Sequence, residues 1–333
     1  MRILEKVAIV FIILGLAGAG LAFAPPAQAG EVWKAYHYNS SPKVPGVAGL
    51  MRIAEIVEKE TNGEFKIQVH IGGSLPIDTL NMTQAVGDGL VQMAGDGFYL
   101  GIVTIGGILR LPMLLTNEKD YREASRIVRP YLERAFDKQD CIVLGEYMYP
   151  LQVAWSSKKL TSLAEMARQK MRVTSPEQAE FVKRFNGMPV TIGAPEVSSA
   201  LERGVVDGCF TASAGGGRLW GDLLKYNYRW GPNYFSSVFI VNKKAFQKLS
   251  PTHQAKLREV VVRVCPTIDE NMIKDEVTVT EDLRKKGMII TEGKASDYAL
   301  ASKKMADFWD SWAKARGAEH VEALAKVRKA VGK

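Results

Sequence analysis

Segments that alternate apolar and polar residues take turns, along most of this 333-residue chain, with segments whose apolar residues recur at helical spacing. That rhythm restricts the fold to layers of helix packed on a largely parallel sheet. Val32–Tyr38 reads as a strand. Val47, Leu50, Ala54 and Val57 mark a helix closed by Asn62-Gly63, and Phe65–Ile71 is the next strand. Helical spacing over 78–89, a short buried strand at Val91–Ala94, an apolar helix-like stretch over Gly106–Leu115 and a helix over about 120–137 continue the pattern.

The second half repeats the rhythm with shorter elements. Strands are expected at Cys141–Tyr147, Gln152–Ser156, Met171–Val173, Pro189–Thr191, Val205-Val206, Tyr234–Val241 and Met288–Ile290. Helices are expected at Leu163–Arg168, Pro176–Phe185 and Glu196–Arg203, and from Ser250-Pro251 to about Lys286. Pro266 should kink or divide that long helix. A final long helix carries Tyr298, Ala301, Met305, Phe308 and Trp312 on one face, a stripe suited to packing. The whole reads as two α/β lobes with segments passing between them, residues 31–150 plus about 238–277 and residues 151–237 plus about 278–333. A cleft between lobes is a favoured ligand position, and hinge closure around a ligand is a known switching mode.

The N-terminus has the layout of a secretory signal peptide. Arg2 and Lys6 precede the apolar run 7–24, and Ala27-Gln28-Ala29 supplies small residues for cleavage after Ala29. The run is also long enough to stay as a single membrane tether. Either outcome places the rest of the chain outside the cytoplasm, which disfavours enzymes that draw on cytosolic nucleotide pools.

The formal net charge is +8, and loss of Arg2, Glu5 and Lys6 with the leader lowers it by one. This balance suits an anionic ligand or an anionic surface. Basic residues are dispersed, with no zinc-finger pattern and no aromatic–basic interleaving, so a nucleic-acid partner is not expected. Cys141, Cys209 and Cys265 form an odd set without metal spacing, which leaves at least one free thiol and allows one disulfide. The four histidines, at 37, 70, 253 and 320, form no metal pair and have no nucleophile motif beside them, so neither a metal nor a catalytic residue is expected. Gly215-Gly216-Gly217 lacks the Lys-Ser/Thr ending of a phosphate loop, so no nucleotide cofactor is expected.

Three stretches then stand out. They are Met171-Arg172-Val173-Thr174-Ser175-Pro176, Phe185-Asn186-Gly187-Met188-Pro189-Val190, and Ala200-Leu201-Glu202-Arg203-Gly204-Val205-Val206-Asp207-Gly208. In this order, behind a leader, they resemble the DctP-type solute-binding proteins of TRAP transporters. The resemblance runs from the Tyr36 region through Val241-Asn242-Lys243-Lys244 to Leu249-Ser250-Pro251. It implies a two-lobe periplasmic-binding-protein fold with a hinge, an interlobe ligand cleft and a long interdomain helix. It also implies a periplasmic receptor that hands a small organic acid to a membrane permease.

The resemblance places the family's carboxylate-binding arginine on Arg172, and a planar guanidinium in a dry cleft suits that task independently. Gln152 stands where relatives often have a second arginine, which argues against ligands that need two. Phe210 and Thr211 replace an acidic residue and an asparagine common in relatives. Trp155, Phe210, Phe235, Phe98 and Tyr99 are candidate cleft aromatics, and each suits a core position equally. Asp96 could accept from a ligand hydroxyl or cap a turn, and Tyr36, His37 and Asn39 lie in a loop that approaches the ligand in relatives. Fewer charges and more aromatics point to a monocarboxylate with an apolar or aromatic body. The expected partners are that small carboxylate and the permease, with a monomer favoured and a homodimer left open. A sensing module for a signalling receptor is the alternative use of the same cleft. An exported ester hydrolase or an adhesive protein lacks a supporting motif.

Overall fold

The computed structural model describes residues 30–333. The expected leader and its cleavage point lie outside the described residues. No described helix is long and apolar enough to cross a membrane.

Eleven described strands form two mixed sheets. The first runs β2 (Phe65–Ile71), β1 (Glu31–His37), β3 (Met93–Asp96), β10 (Phe235–Asn242), β4 (Cys141–Tyr149). Strands β1, β2 and β3 are parallel, and β10 is antiparallel to both of its neighbours. The second sheet runs β11 (Ile289–Glu292), β9 (Tyr226–Arg229), β5 (Val153–Ser156), β8 (Gly208–Thr211), β6 (Lys170–Val173), β7 (Met188–Thr191). Here β6 is parallel to β7 and β8, whereas β5 is antiparallel to β8 and β9. The expectation of largely parallel pairing therefore holds only in part, because β5 and β10 each enter a sheet directly from the other lobe and so run against it.

Helix Pro251–Lys285 joins the lobes. Its Asp269 accepts from the backbone N of Met148 in β4 at 2.8 Å. Two turns on, Glu276 accepts from the backbone N of Ala214 at 3.0 Å and from Arg229 in β9 at 2.7 Å. Pro266 does not divide this helix. Proline removes the bond to the carbonyl of Val262, and both residues lie on the solvent side, where water takes over that carbonyl.

The C-terminal segment returns from the second lobe to the first. Asp297 accepts from the N of Leu163 at 2.8 Å and from Tyr228 Oη at 2.7 Å, which ties the segment to the second lobe. Trp312 Nε1 then donates to buried Glu177 at 2.8 Å, and Trp309 Nε1 donates to the carbonyl of Pro112 at 2.8 Å. Helix Ala318–Val331 packs on helix Glu118–Asp137, with Arg134 and Glu319 paired at 2.8 Å. The last helix, expected with the second lobe, thus lies on the first. The expected single long helix is three, Ala295–Met305, Phe308–Lys314 and Ala318–Val331, with Gly317 (φ 104°) before the last.

Other local expectations shift. The strand expected at Val205-Val206 starts at Gly208 instead, and Val205 is exposed. Asp207 explains the register. Its carboxylate accepts from the N of Lys170 at 2.8 Å and pairs with Lys158 at 2.8 Å, which fixes the entry of β8 between β5 and β6. Gly208 is required beside it, because a side chain there would run into the carbonyl of Trp155. Strand β9, with polar Asn227 at its centre, carries too little apolar alternation to be read from sequence. The helix-like stretch expected over Gly106–Leu115 overlaps the 3-10 segment Thr104–Arg110. All three cysteines are free and buried, and the disulfide left open by sequence is absent among them.

Candidate ligand site between the lobes

Strand β6 brings Arg172 into the space between the sheets. Ser175 ends that strand extended and caps the following helix by accepting from the N of Gln178 at 3.2 Å, with Pro176 preset for the first turn. Arg172 is nearly fully buried. Its Nε donates to the carbonyl of Ile192, just beyond β7, at 3.1 Å. Its guanidinium carbon lies 5.6 Å from the ring centre of Phe98 and 5.3 Å from that of Trp220. Burial lowers its pKa to about 10, and the Arg110 guanidinium pushes the same way, yet it stays charged at neutral pH. The ionisable groups acting on it are Cys209, Tyr38 and Arg110, with no carboxylate among them.

A narrow cavity adjoins this guanidinium. The first lobe contributes Asn39, Phe98, Tyr149 and Phe235, and the second contributes Arg172, Thr211 and Trp220. The aromatic wall is packed edge to face, with Phe98 and Phe235 centroids 5.8 Å apart and Tyr149 and Phe235 5.3 Å apart. Asn39 Nδ2 donates to Tyr149 Oη at 2.9 Å, which joins the N-terminal loop to the end of β4. The Tyr38 hydroxyl is buried without a hydrogen-bond partner, and burial pushes its pKa up to about 12.

The glycine triplet forms the floor. Ser213–Gly217 makes a wide turn in which Gly215 leaves helical geometry at φ −96°, ψ −108°. The N of Gly216 donates to Thr211 Oγ1 at 2.9 Å. A side chain at Gly216 would overlap the Trp220 ring and crowd Thr211 Oγ1, so only glycine lets the backbone pass close to both.

Of the residues singled out from sequence, Arg172, Gln152, Thr211, Phe98, Phe235 and Asn39 line this cavity together. Gln152 is there, but its amide already donates to the carbonyl of Pro150 at 2.8 Å. The other six are not among the lining residues. Trp155 is fully buried and donates to the carbonyl of Thr211 at 2.9 Å, supporting the floor from below. Phe210 points to the opposite face of β8 from Thr211 and packs on Phe181. Asp96 accepts from Thr83 Oγ1 at 2.6 Å and from the N of Phe98 at 2.7 Å, so it caps a turn. Burial raises its pKa to about 6. Tyr36 Oη accepts from the N of Gly73 at 3.0 Å. His37 accepts at Nδ1 from the N of Asn39 at 3.0 Å, so its Nε2 carries the proton and donates to Tyr147 Oη at 2.8 Å. Burial lowers its pKa to about 3, and it holds the loop as a neutral ring. Tyr99 also lies outside, bonded to Ser236 at 2.6 Å.

Sequence reasoning missed Tyr38, Tyr149, Thr174 and Trp220. Thr174 was accessible to it, because residues two apart on a strand share a face with Arg172. Trp220 was not, because it reaches the cavity only through the wide glycine turn Ser213–Gly217. Among the described residues no cluster of side chains is suited to a metal ion.

The sequence profile of the bacterial extracellular solute-binding proteins, family 7 (DctP), matches residues 36–315. The ectoine-binding periplasmic protein TeaA of Halomonas elongata is 23% identical over 248 residues, covering 66% of this chain and 71% of its own. An extracytoplasmic solute receptor of Bordetella pertussis that binds pyroglutamic acid superposes with a TM-score of 0.83 at 20% identity, over 90% of this chain and 99% of its own. A TRAP periplasmic solute-binding protein of Sulfurospirillum deleyianum with bound succinate gives 0.82 at 18% identity, over 90% and 100%.

Proposed function

Because the chain belongs to family 7 of the bacterial extracellular solute-binding proteins, we propose that it binds a compact monocarboxylate through Arg172 and delivers it to a TRAP membrane permease. Members of this family are receptors for small organic acids, not enzymes. The observation that carries the finer reading is the buried Arg172 guanidinium, which faces an aromatic-walled cavity and has no acidic partner of its own. A buried cation without a counter-ion is costly, and a ligand carboxylate supplies the counter-ion in a low-dielectric setting where the planar fork accepts it side-on.

The lining supports one carboxylate rather than two. Arg172 is its single cationic side chain, and Gln152 has an amide hydrogen committed to Pro150. Tyr38, Phe98, Tyr149, Trp220 and Phe235 suit a ring or a short apolar body. Among the similar proteins, pyroglutamic acid is a ligand of this kind. Both lobes contribute lining residues, so a bound acid contacts both and favours their approach. In this reading the protein is exported, cleaved after Ala29 and acts in the periplasm as a monomer.

A thermal-shift series with aliphatic and aromatic monocarboxylates, succinate and the matching amides tests the proposal. Monocarboxylates should raise the midpoint by linkage, their amides should raise it far less, and Arg172→Ala should remove the response to the acids. Stabilisation by succinate alone, or by a neutral solute alone, would count against it.

A further inference from the structure

Arg110 is fully buried, at the end of the Thr104–Arg110 segment behind the cavity. Its hydrogen bonds all go to neutral oxygens. Nη2 donates to the carbonyls of Gly97 at 2.5 Å and Ser236 at 2.6 Å, and Nε reaches Ser236 Oγ at 3.4 Å. Nη1 has no partner. Asp96, the acid whose charge it influences, has its carboxylate engaged by Thr83 and by the backbone of Phe98. A second guanidinium is therefore buried near the cavity without a carboxylate bonded to it.

Its position is specific. The guanidinium carbon of Arg110 lies 3.8 Å from the ring centre of Phe235. Phe235 and Phe98 stand 5.8 Å apart, and the guanidinium carbon of Arg172 lies 5.6 Å beyond Phe98. Each cation thus lies against one ring of the aromatic pair that walls the cavity, and Arg172 lines the cavity whereas Arg110 does not. Solvent and salt do not reach a fully buried charge, so its field crosses the wall with little screening.

We propose that Arg110 is a specificity-determining residue, supplying from behind the Phe98–Phe235 wall a second positive charge that favours an anionic ligand without touching it. The proposal rests on reading the cavity as an acid site. It separates two tasks that a second cavity arginine would combine. The attraction for negative charge is retained, while the second fork that would hold a second carboxylate is absent, because the residue at that place is Gln152.

Arg110 also holds Gly97 and Ser236, so loss of affinity alone would not separate charge from structure. The experiment measures pyroglutamate, lactate, benzoate and phenylacetate, each beside its primary amide, by calorimetric titration of the wild type, Arg110→Gln, Arg110→Lys and Arg172→Ala. The expected result is that Arg110→Gln lowers affinity for the acid about tenfold and leaves the amide unchanged, and that Arg110→Lys restores the acid-over-amide ratio. A merely structural role would weaken acid and amide together, and that outcome overturns the inference. If Arg110→Gln does not fold, Arg110→Lys decides: a folded lysine variant that keeps amide binding but has lost its preference for the acid overturns it. Binding lost in Arg172→Ala but unchanged in Arg110→Gln overturns this inference alone. A wild type that binds none of the acids overturns the proposed function, and the inference with it.

Discussion

The Nε of Arg172 donates to the carbonyl of Ile192 at 3.1 Å, and this bond sets the direction of the guanidinium. With Nε tied to the edge of β7, the two terminal amino groups are turned toward the cavity. The side chain is already ordered, so the entropy of holding a long arginine still is not charged to binding. Arg172→Lys removes both the tether and the fork, and we expect affinity for a carboxylate to fall about 100-fold. The fold should not suffer, because the variant buries no more charge than before. Titration calorimetry beside a melting curve checks both, and affinity within threefold of wild type would remove Arg172 from the centre of the site.

Gly216→Ala tests the glycine floor. The added methyl overlaps the Trp220 ring and lies 2.7 Å from Thr211 Oγ1, so Trp220 must leave the cavity. The strain should cost about 1–3 kcal/mol, and ligand affinity should fall with it. Urea unfolding and tryptophan fluorescence read the two effects, and an unchanged emission spectrum would show that Trp220 does not bear on this turn.

Trp312→Phe removes the donor that Glu177 receives across the lobes at 2.8 Å. Glu177 Oε2 already lacks a partner, and Arg316 stands 3.7 Å from its other oxygen. Losing the indole N–H should destabilise the protein by about 1–3 kcal/mol. The double variant with Glu177→Gln should lose less than the sum of the two single changes, because they share one interaction. Strict additivity in denaturant unfolding would deny the link.

Glu146 gives the protein a pH-dependent stability. Burial raises its carboxyl from 4.5 to about 7, and Arg129 offsets only part of this. Between those values the folded state holds a proton that the unfolded state has released, so stability falls as pH rises from about 4.5 to about 7. Asp96, raised by burial to about 6, and Asp269, also raised, act in the same direction. Glu146→Gln should flatten the slope and be more stable than wild type at pH 8, by on the order of 2 kcal/mol. Unfolding free energies from pH 5 to pH 8 decide this, and parallel curves for the two proteins would refute it.

What sequence could show of this protein followed local chemistry. Ser175-Pro176 and Ser250-Pro251 open helices as their capping chemistry requires. Arg172 was singled out by the family resemblance rather than by local chemistry alone, and it does line the cavity. Thr211 and Phe210 were both candidates, and strand alternation put only the first in the lining. Trp155, Asp96, Tyr36 and His37 have the right chemistry and sit close to the lining, but each is spent on a partner that only the assembled fold supplies. Trp220 and Arg110 arrive through turns whose geometry depends on neighbours distant in sequence, so no local pattern announces them. Pro266, expected to kink or divide its helix, does not divide it, because a proline's effect depends on which side of the helix meets water.

Strand β10 sits between β3 and β4, yet most of the second sheet is made before it. As a chain emerges from a ribosome or a membrane channel, β3 and β4 wait with bare edges until residue 242 is free. Pairing that late is slow, because long loops must close before any contact rewards them. It also leaves sticky edges in the meantime. The permutation that builds the cleft thus postpones completion of the first sheet until 242 of the 333 residues have emerged.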